Sequence, residues 1–394
     1  MSGITQNDDA SGAAPVTAGP LPAAATAPPA ERLRVAWIAG PATADQYGRA
    51  LQPLAIGLMD ELIEIVALCP SGSDVQELPS PPVETVFCSR TRWCGVFTHA
   101  VEALARELRR RKVRLLHALD ADAWPLTAEL GHLAGLNCVV SSHALGDERA
   151  LRHRHKSIAA VLAPSQAIRD RLLARRIVPA EHVELVHPGV YQVRKATCFP
   201  NDELRVSIVA GGPLDDFPSF EAAIRCFAEL KRTGHECVFF LMGNGRAERR
   251  LRSLAETLGM RGDLTFVDRQ PPRLLPEIFK AADLYVAPVP DRSIDMPCLL
   301  AMAAGVPVLA AAGGASDFLI DGQTALGFAA GDAADLTSKL TGLLDDRATA
   351  VTLAEGALVH LRAHHSPAGA VTAVTRIYRH VAAMPTKSPA LQNS

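Results

Sequence analysis

The feature that most constrains this chain is an alternation of short apolar strands with helical segments, which occurs twice along the sequence. RVAWIAG (34–40) and RVSIVAGG (205–212) are both apolar runs that end in glycine, as buried parallel strands do. Strands that alternate with helices predict a parallel sheet covered by helices on both faces. The sequence therefore predicts an α/β fold built from two tandem, doubly wound domains.

The apolar runs and the helical spacing set the expected elements. In the first series, strands are predicted at 63–69, 84–88, 113–119, 137–143 and 159–165, with helices from 41 to 59 and over 97–111. In the second series, strands at 237–245, 263–268, 284–289 and 306–311 alternate with helices at 218–232, 246–259, 273–281, 297–304, 332–345 and 350–363.

A polar stretch around PNDEL (200–204) separates the two series and marks the domain boundary. The predicted organisation is a disordered Ala/Pro-rich tail at 1–31, a first domain at 32–200, a second at 201–365, a C-terminal helix at 366–384 that packs back on the first domain, and a tail at 385–394. A chain of 394 residues is long enough for two such domains.

Composition excludes several classes of function. A formal charge of −2 and a pI near 6.7 give no general attraction to nucleic acid. The eight cysteines form no CxxC pair and lie mostly in apolar runs, which is typical of core residues in a reducing compartment. No leader and no apolar run long enough to cross a bilayer is visible, so we expect a cytoplasmic protein.

The turn Gly243-Asn244-Gly245 joins a predicted strand to a predicted helix. Backbone N–H groups of such a turn, with the helix N-terminus, suit an anion such as a diphosphate. A GxG turn that merely connects the two elements is the alternative. Gly211 and Gly212 also end a strand, at the edge where open α/β sheets place their ligand crevice.

Four segments in a fixed order carry a resemblance to a known family. They are FLMGNGRAERRLRSLAETLGMRGDLTFVD (240–268), IFKAADLYVAPV (278–289), LLAMAAGVPVLAAAGGASDFLIDGQTALGF (299–328) and IYRHV (377–381). With them the chain resembles the family 4 retaining glycosyltransferases of the GT-B fold over roughly residues 33–384. The resemblance implies two Rossmann-like domains with a cleft between them, an acceptor-type domain first and a nucleotide-sugar domain second.

The resemblance also implies a function and a site. The function is transfer of a sugar, with retention, from a nucleotide sugar to a glycan, lipid-linked or small-molecule acceptor, without a metal or other cofactor. Donor-binding residues are expected at Gly211, Gly212, Gly243, Asn244, Gly245, Asp268, Arg269 and Leu300. Catalytic roles are expected for His143, Arg292 and Asp295. A hydrogen-bonded structural histidine, and solvated surface charges, are the competing interpretations of these three.

Four charged groups of the family are replaced in this sequence. The family's two donor-site glutamates fall on Arg292 and Leu300, and the arginine and lysine that neutralise its diphosphate leaving group fall on Gly212 and Phe217. Losing one preorganised charge partner typically costs ~100-fold in rate. The alternative function is therefore a catalytically inactive homologue that binds a glycan, a nucleotide sugar or a partner protein.

Three further sequence patterns bear on membrane contact, metal binding and dinucleotide binding. The basic run at 106–114 is typical of a solvated helix face, and a peripheral contact with a membrane is the alternative. His153 and His155 are two residues apart and point away from each other on a helix, which disfavours a metal site. The strand at Trp37 is not followed by GxGxxG, which disfavours a dinucleotide enzyme.

Overall fold

The computed structural model describes residues 32–40, 43–70, 84–88, 98–200 and 205–386. The predicted tail at 1–31, and residues 387–394 of the predicted C-terminal tail, lie outside them. We call residues 32–200 the first half and residues 205–365 the second half.

The strands are β1 (Leu33–Ile38), β2 (Ile63–Pro70), β3 (Glu84–Cys88), β4 (Leu115–Ala118), β5 (Asn137–Ser141), β6 (Ile158–Ala163), β7 (Val183–Leu185), β8 (Val206–Gly211), β9 (Cys237–Met242), β10 (Leu264–Val267), β11 (Leu284–Ala287), β12 (Val308–Ala311) and β13 (Leu326–Phe328). The helices are α1 (Thr43–Asp60), α2 (Thr98–Arg110), α3 (Trp124–Ala134), α4 (Glu148–Leu151), α5 (Gln166–Arg175), α6 (Phe217–Arg232), α7 (Glu248–Thr257), α8 (Leu275–Lys280), α9 (Met296–Ala303), α10 (Ala333–Asp345), α11 (Arg347–His364) and α12 (Pro367–Ala383).

The strands form two sheets with parallel pairing throughout. The first has the order β3-β2-β1-β4-β5-β6-β7 and the second the order β10-β9-β8-β11-β12-β13. In each sheet the strand order reverses once, between β1 and β4 and between β8 and β11, as in doubly wound folds. The predicted fold class, two Rossmann-like α/β units, is confirmed.

Burial explains why these segments become strands and helices. Strands such as β4, β11 and β12 are buried along their whole length, because helices cover both faces of the sheet. Helix α3 is apolar on most sides, and seven of its eleven residues are buried. It therefore lies inside the first half rather than on its surface.

Helix α12 leaves the second half and packs against α1 and the first sheet. A buried polar network fixes it there: Trp37 Nε1 donates to Tyr378 Oη at 2.8 Å, and His117 Nδ1 lies 2.5 Å from the same oxygen. The other nitrogen, His117 Nε2, lies 2.9 Å from Ser141 Oγ. Burial lowers the pKa of His117 to about 3, so the ring is neutral near pH 7.

Two further observations bear on the expectations from composition. The five cysteines whose side chains the structure describes are buried: Cys138, Cys198, Cys226, Cys237 and Cys298. No helix among the described residues is long and apolar enough to cross a bilayer.

Candidate functional site

A cleft of about 650 Å³ lies at the carboxyl ends of β8, β9 and β11. This is the point where the strand order of the second sheet reverses, and open α/β sheets bind ligands in this crevice. The lining residues come from the ends of these strands, from the loops that follow them and β10, and from the first turns of α8 and α9. They include Gly211, Gly212, Gly243, Asn244, Arg269, Arg292 and Asp295, seven of the residues singled out from the sequence.

Glycine is required where two of these loops touch. A Cβ on Gly243 would overlap the carbonyl oxygen of Gly212, and one on Gly211 would meet Tyr285 Oη at 2.6 Å. Backbone hydrogen bonds join the same loops, from Gly212 N to Met242 O at 3.1 Å and from Leu214 N to Asn244 O at 3.0 Å. The paired loops form a backbone-lined wall of the cleft.

Three of the predicted donor-binding residues do not line the cleft. Leu300 is 4% exposed and packs in the apolar core, since α9 turns that position inward. Gly245 faces the backbone of Leu214, which a Cβ would overlap. Asp268 is exposed, and its Oδ1 accepts a hydrogen bond from Asn244 Nδ2 at 3.2 Å. These three residues therefore pack against or support other parts of the chain and do not line the cleft.

The N-terminus of α7, predicted to hold a diphosphate, is already bonded within the chain. Arg246 N donates to Asp215 Oδ1 at 2.9 Å, and Ala247 N donates to Leu214 O at 2.9 Å. The backbone N–H and then the guanidinium of Arg246 lower the pKa of Asp215. A carboxylate of the chain itself thus occupies the position expected for the anion.

The N-terminus of α9 is also capped by a carboxylate. Asp295 is 8% exposed, and its Oδ1 accepts a hydrogen bond from Cys298 N at 2.9 Å. Burial, and then the nearby Asp291, raise the pKa of Asp295 to about 6. Asp295 is therefore mostly ionised at neutral pH and adds negative charge to the cleft.

Two arginines oppose these carboxylates. Arg292 Nη2 donates to Leu145 O of the first half at 3.3 Å. The backbone N of Arg269 donates to Asn244 Oδ1 at 2.5 Å, while its exposed guanidinium has no ion pair within the described chain. Among the described residues, the charged groups that line the cleft are thus two arginines and three aspartates: Arg269, Arg292, Asp215, Asp291 and Asp295.

His143 lies beside the cleft rather than in its lining. Its backbone O accepts a hydrogen bond from Ile294 N at 3.1 Å, and its Nε2 donates to Leu119 O at 2.8 Å. The ring lines a separate cavity of about 70 Å³, and Ile294 lines both spaces. Burial lowers the pKa of His143 to about 4, so the ring is neutral near pH 7. His143 thus stands where the two halves meet.

The corresponding crevice of the first sheet is filled by Asp120, which the sequence analysis did not identify. Its Oδ2 accepts hydrogen bonds from Gly40 N at 2.6 Å and from Thr43 Oγ1, and its Oδ1 accepts one from Ala123 N at 2.7 Å. Burial raises the pKa of Asp120 to about 6. The signal for this site in the sequence is an acidic residue two positions after the end of β4.

The basic segment 106–114 makes several contacts within the first half. Arg110 and Arg111 both pair with Glu107, at 2.7 and 2.6 Å, and Arg111 also pairs with Glu84. Arg109 Nη2 donates to Leu133 O at 2.5 Å. These contacts fit the solvated helix face, and the contact with a membrane stays a prediction.

Comparisons with known proteins now identify the family. The model of the group 1 glycosyl transferases matches residues 205–346, and the model of glycosyltransferase family 4 matches residues 48–192. This chain belongs to the family 4, group 1 glycosyltransferases of the GT-B fold. The chain is 29% identical over 213 residues to a D-inositol 3-phosphate glycosyltransferase of Corynebacterium aurimucosum, and the match covers 51% of this chain and 50% of that protein. The chain thus matches about half the length of that relative.

Solved structures show the same fold over nearly the whole chain. A glycosyltransferase of Rickettsia africae aligns with a TM-score of 0.72 and 12% identity, covering 89% of this chain and 98% of that one. Anabaena HepE in complex with UDP-glucose aligns with a TM-score of 0.70 and 14% identity, covering 89% and 100%. At these identities the likeness concerns the fold.

Proposed function

We propose that this glycosyltransferase binds a nucleotide sugar in the cleft of its second half. We further propose that it transfers the sugar, with retention, to a glycan, lipid-linked or small-molecule acceptor that enters from the first half. The observation that carries the proposal is the 650 Å³ cleft at the reversal point of the second sheet. Its volume lies within the ~300–1,000 Å³ typical of small-molecule sites.

Two features of the cleft support a phosphorylated donor. Arg269 presents an exposed guanidinium to the cleft, and Arg292 lines it while bonded to Leu145. Cations near a departing diphosphate stabilise the charge that develops on it. A diphosphate bound through Arg292 would also connect the donor to the first half, where we expect the acceptor. A structural relative, HepE, has been solved with UDP-glucose.

A second candidate function is binding of a nucleotide sugar or glycan without transfer. Three aspartates line the cleft against two arginines; Asp295 caps the N-terminus of α9, and Asp215 bonds to Arg246 in the turn before α7. A net negative lining opposes the negative charge of a leaving diphosphate. Gly212 and Phe217, at the positions of the family's two cations, supply none. This arrangement favours a binder over an efficient catalyst.

Donor turnover tests the two candidates against each other. The full chain would be titrated with UDP-, GDP- and ADP-linked sugars. Any donor that binds would then be incubated with sugar, glycan and lipid-linked acceptors while release of nucleoside diphosphate is followed. Catalysed release that needs an acceptor, with the donor's anomeric configuration kept in the product by NMR, supports transfer with retention.

Binding without release against the whole acceptor panel supports the second candidate. Binding of none of the donors would contradict both transfer and the binding of a nucleotide sugar. Arg269→Gln should weaken donor binding, because it removes one of the two exposed arginine cations that line the cleft. Arg249→Gln is the matched control, since Arg249 is exposed on α7 and does not line the cleft.

A further inference from the structure

Three side chains that commonly bind metal ions converge at a place outside the cleft. His187 follows β7 of the first half, Asp317 lies in the loop after β12 of the second half, and His365 lies between α11 and α12. One potential ligand atom from each lies within 4.8 Å of the other two. None of the three lines the 650 Å³ cleft.

His365 has the orientation of a metal-binding imidazole. The residue is fully buried, and its Nδ1 lies 3.1 Å from Pro188 O. Because a carbonyl oxygen only accepts, Nδ1 must carry the proton, and Nε2 then carries the lone pair. Nε2 is buried and has no hydrogen-bond partner within the described chain. Metal-bound histidines typically donate their other ring N–H to a backbone carbonyl in this way.

Asp317 presents a second buried atom to the same place. Its Oδ2 accepts a hydrogen bond from Gln166 N at 2.6 Å and lies 3.3 Å from His187 Nε2. Its Oδ1 is buried and has no partner among the described residues. A buried carboxylate oxygen without a partner costs free energy, and a cation shared with His365 Nε2 removes that cost.

The number and type of ligands indicate the class of metal. Two imidazoles and one carboxylate are the donors that Zn²⁺ and other first-row divalent ions prefer, whereas Mg²⁺ and Ca²⁺ prefer oxygen. Ligands at about 2.1 Å from one ion lie at most about 4.2 Å apart. The three atoms, now within 4.8 Å, need only a small inward movement. Two further imidazoles are close, with the His364 ring centroid 6.3 Å from that of His187 and the His360 centroid 5.9 Å from that of His365.

We propose that His187, Asp317 and His365 bind one Zn²⁺ or similar first-row divalent ion. The ion would join the segment after β7, the loop after β12 and the start of α12, which belong to both halves of the fold. Its role is to restrain the two halves relative to each other. Its ligands lie outside the cleft where sugar transfer is proposed. The site does not depend on the proposed function, and the expectation that transfer itself needs no metal stays a prediction.

Metal titration of the chelator-treated full chain tests this site. With ZnCl₂ alone, we expect one ion per chain by calorimetry and a higher midpoint of thermal unfolding. With CoCl₂, we expect visible d–d absorption from a coordinated ion. Asp317→Asn keeps the hydrogen bond from Gln166 N but removes the anionic ligand. It should weaken Zn²⁺ binding at least about 10- to 100-fold, the loss typical of removing even an outer partner.

His187→Gln should have a similar effect, and its side chain is partly exposed, so folding is expected to be kept. His155→Gln is the control, because His155 is exposed and far along the chain from the cluster. Absence of Zn²⁺ binding by the wild-type chain would overturn the proposal and leave buried water as the partner of the two atoms. Binding that is equally strong in Asp317→Asn and His187→Gln would overturn it as well.

Discussion

The two sheets reverse their strand order in the same way, but the two crevices that result are filled differently. In the first sheet, between β1 and β4, the Asp120 carboxylate bonds to Gly40 and Thr43. In the second, between β8 and β11, Gly211 and Gly212 border an open cleft. One acidic side chain therefore converts a crevice into an internal connection, and the half that keeps glycine there keeps room for a ligand.

The largest expected effect comes from the touching loops of the second half. In Gly243→Ala, the new Cβ would overlap the Gly212 carbonyl oxygen, so a backbone segment must move. We expect a loss of about 3 kcal/mol or more in the free energy of unfolding, measured in urea. Gly342→Ala in α10 is the control, since nothing lies within 4 Å of its added Cβ and alanine favours a helix. Wild-type stability of Gly243→Ala would mean that the loops do not touch.

Asp120→Ala tests the filled crevice. It leaves the N–H groups of Gly40 and Ala123 without their acceptor, so we expect a loss of about 3 kcal/mol at pH 5. The pKa of Asp120 is raised to about 6 from 3.8, so the stability that Asp120 contributes is lost as the pH rises through 6. The cost of the substitution should therefore be about 1.4 kcal/mol smaller at pH 7.5.

Donor binding should be unchanged in Asp120→Ala, because Asp120 lies in the other crevice. Loss of donor binding with unchanged unfolding would instead assign the ligand site to the first half.

Asp295→Asn tests the role of a carboxylate charge in the open cleft of the second half. Asparagine caps a helix as well as aspartate does, so the α9 cap is kept while the charge is removed. The pKa of Asp295 is raised to about 6, so the wild type loses stability as the pH rises through 6. Relative to the wild type, the variant should gain about 1.4 kcal/mol in unfolding free energy between pH 5 and pH 7.5.

The same substitution should tighten nucleotide binding a few-fold, since it removes a negative charge from the lining. Asp332→Asn, at the exposed N-cap of α10, is the matched control and should change neither quantity. Weaker nucleotide binding by Asp295→Asn would show that the carboxylate contacts the donor directly.

Arg292→Ala tests the contact between the cleft and the first half. The exposed guanidinium of Arg292 lines the cleft and donates to Leu145 O at 3.3 Å. We therefore expect roughly five- to tenfold weaker donor binding by the variant, and we expect this difference from the wild type to disappear at high salt. Arg249→Ala serves as the control on α7. Unchanged affinity would mean that Arg292 only joins the two halves.

Much of the fold follows from the sequence, because buried parallel strands leave continuous apolar runs that end in glycine. The second-half strands at 206–211 and 237–242 lie inside the predicted runs. Helix α3 was not predicted, since it is apolar on most sides and shows no amphipathic period. Strands β7 and β13 have three residues each, too few to give a periodic signal.

The site was less predictable, because its main contacts join distant parts of the chain. Asp215 accepts a hydrogen bond from the backbone of Arg246, 31 residues further along the chain, in the turn before α7. Leu300 occupies a position where the family has a donor-site glutamate, yet the structure buries it. His187, Asp317 and His365 have no motif spacing, and only the folded chain brings them together.

The central claim is that a nucleotide sugar binds in the cleft of the second half. The most direct measurement is calorimetric titration of nucleotide sugars into the wild-type chain, Pro213→Trp and Ile56→Trp. Pro213 is exposed and lines the cleft, so tryptophan there would fill it, whereas Ile56 is exposed on α1 outside the cleft. We expect micromolar binding of a nucleotide sugar by the wild type and by Ile56→Trp, and an affinity at least about 100-fold weaker in Pro213→Trp. Equal binding by all three chains, or binding by none, would contradict it.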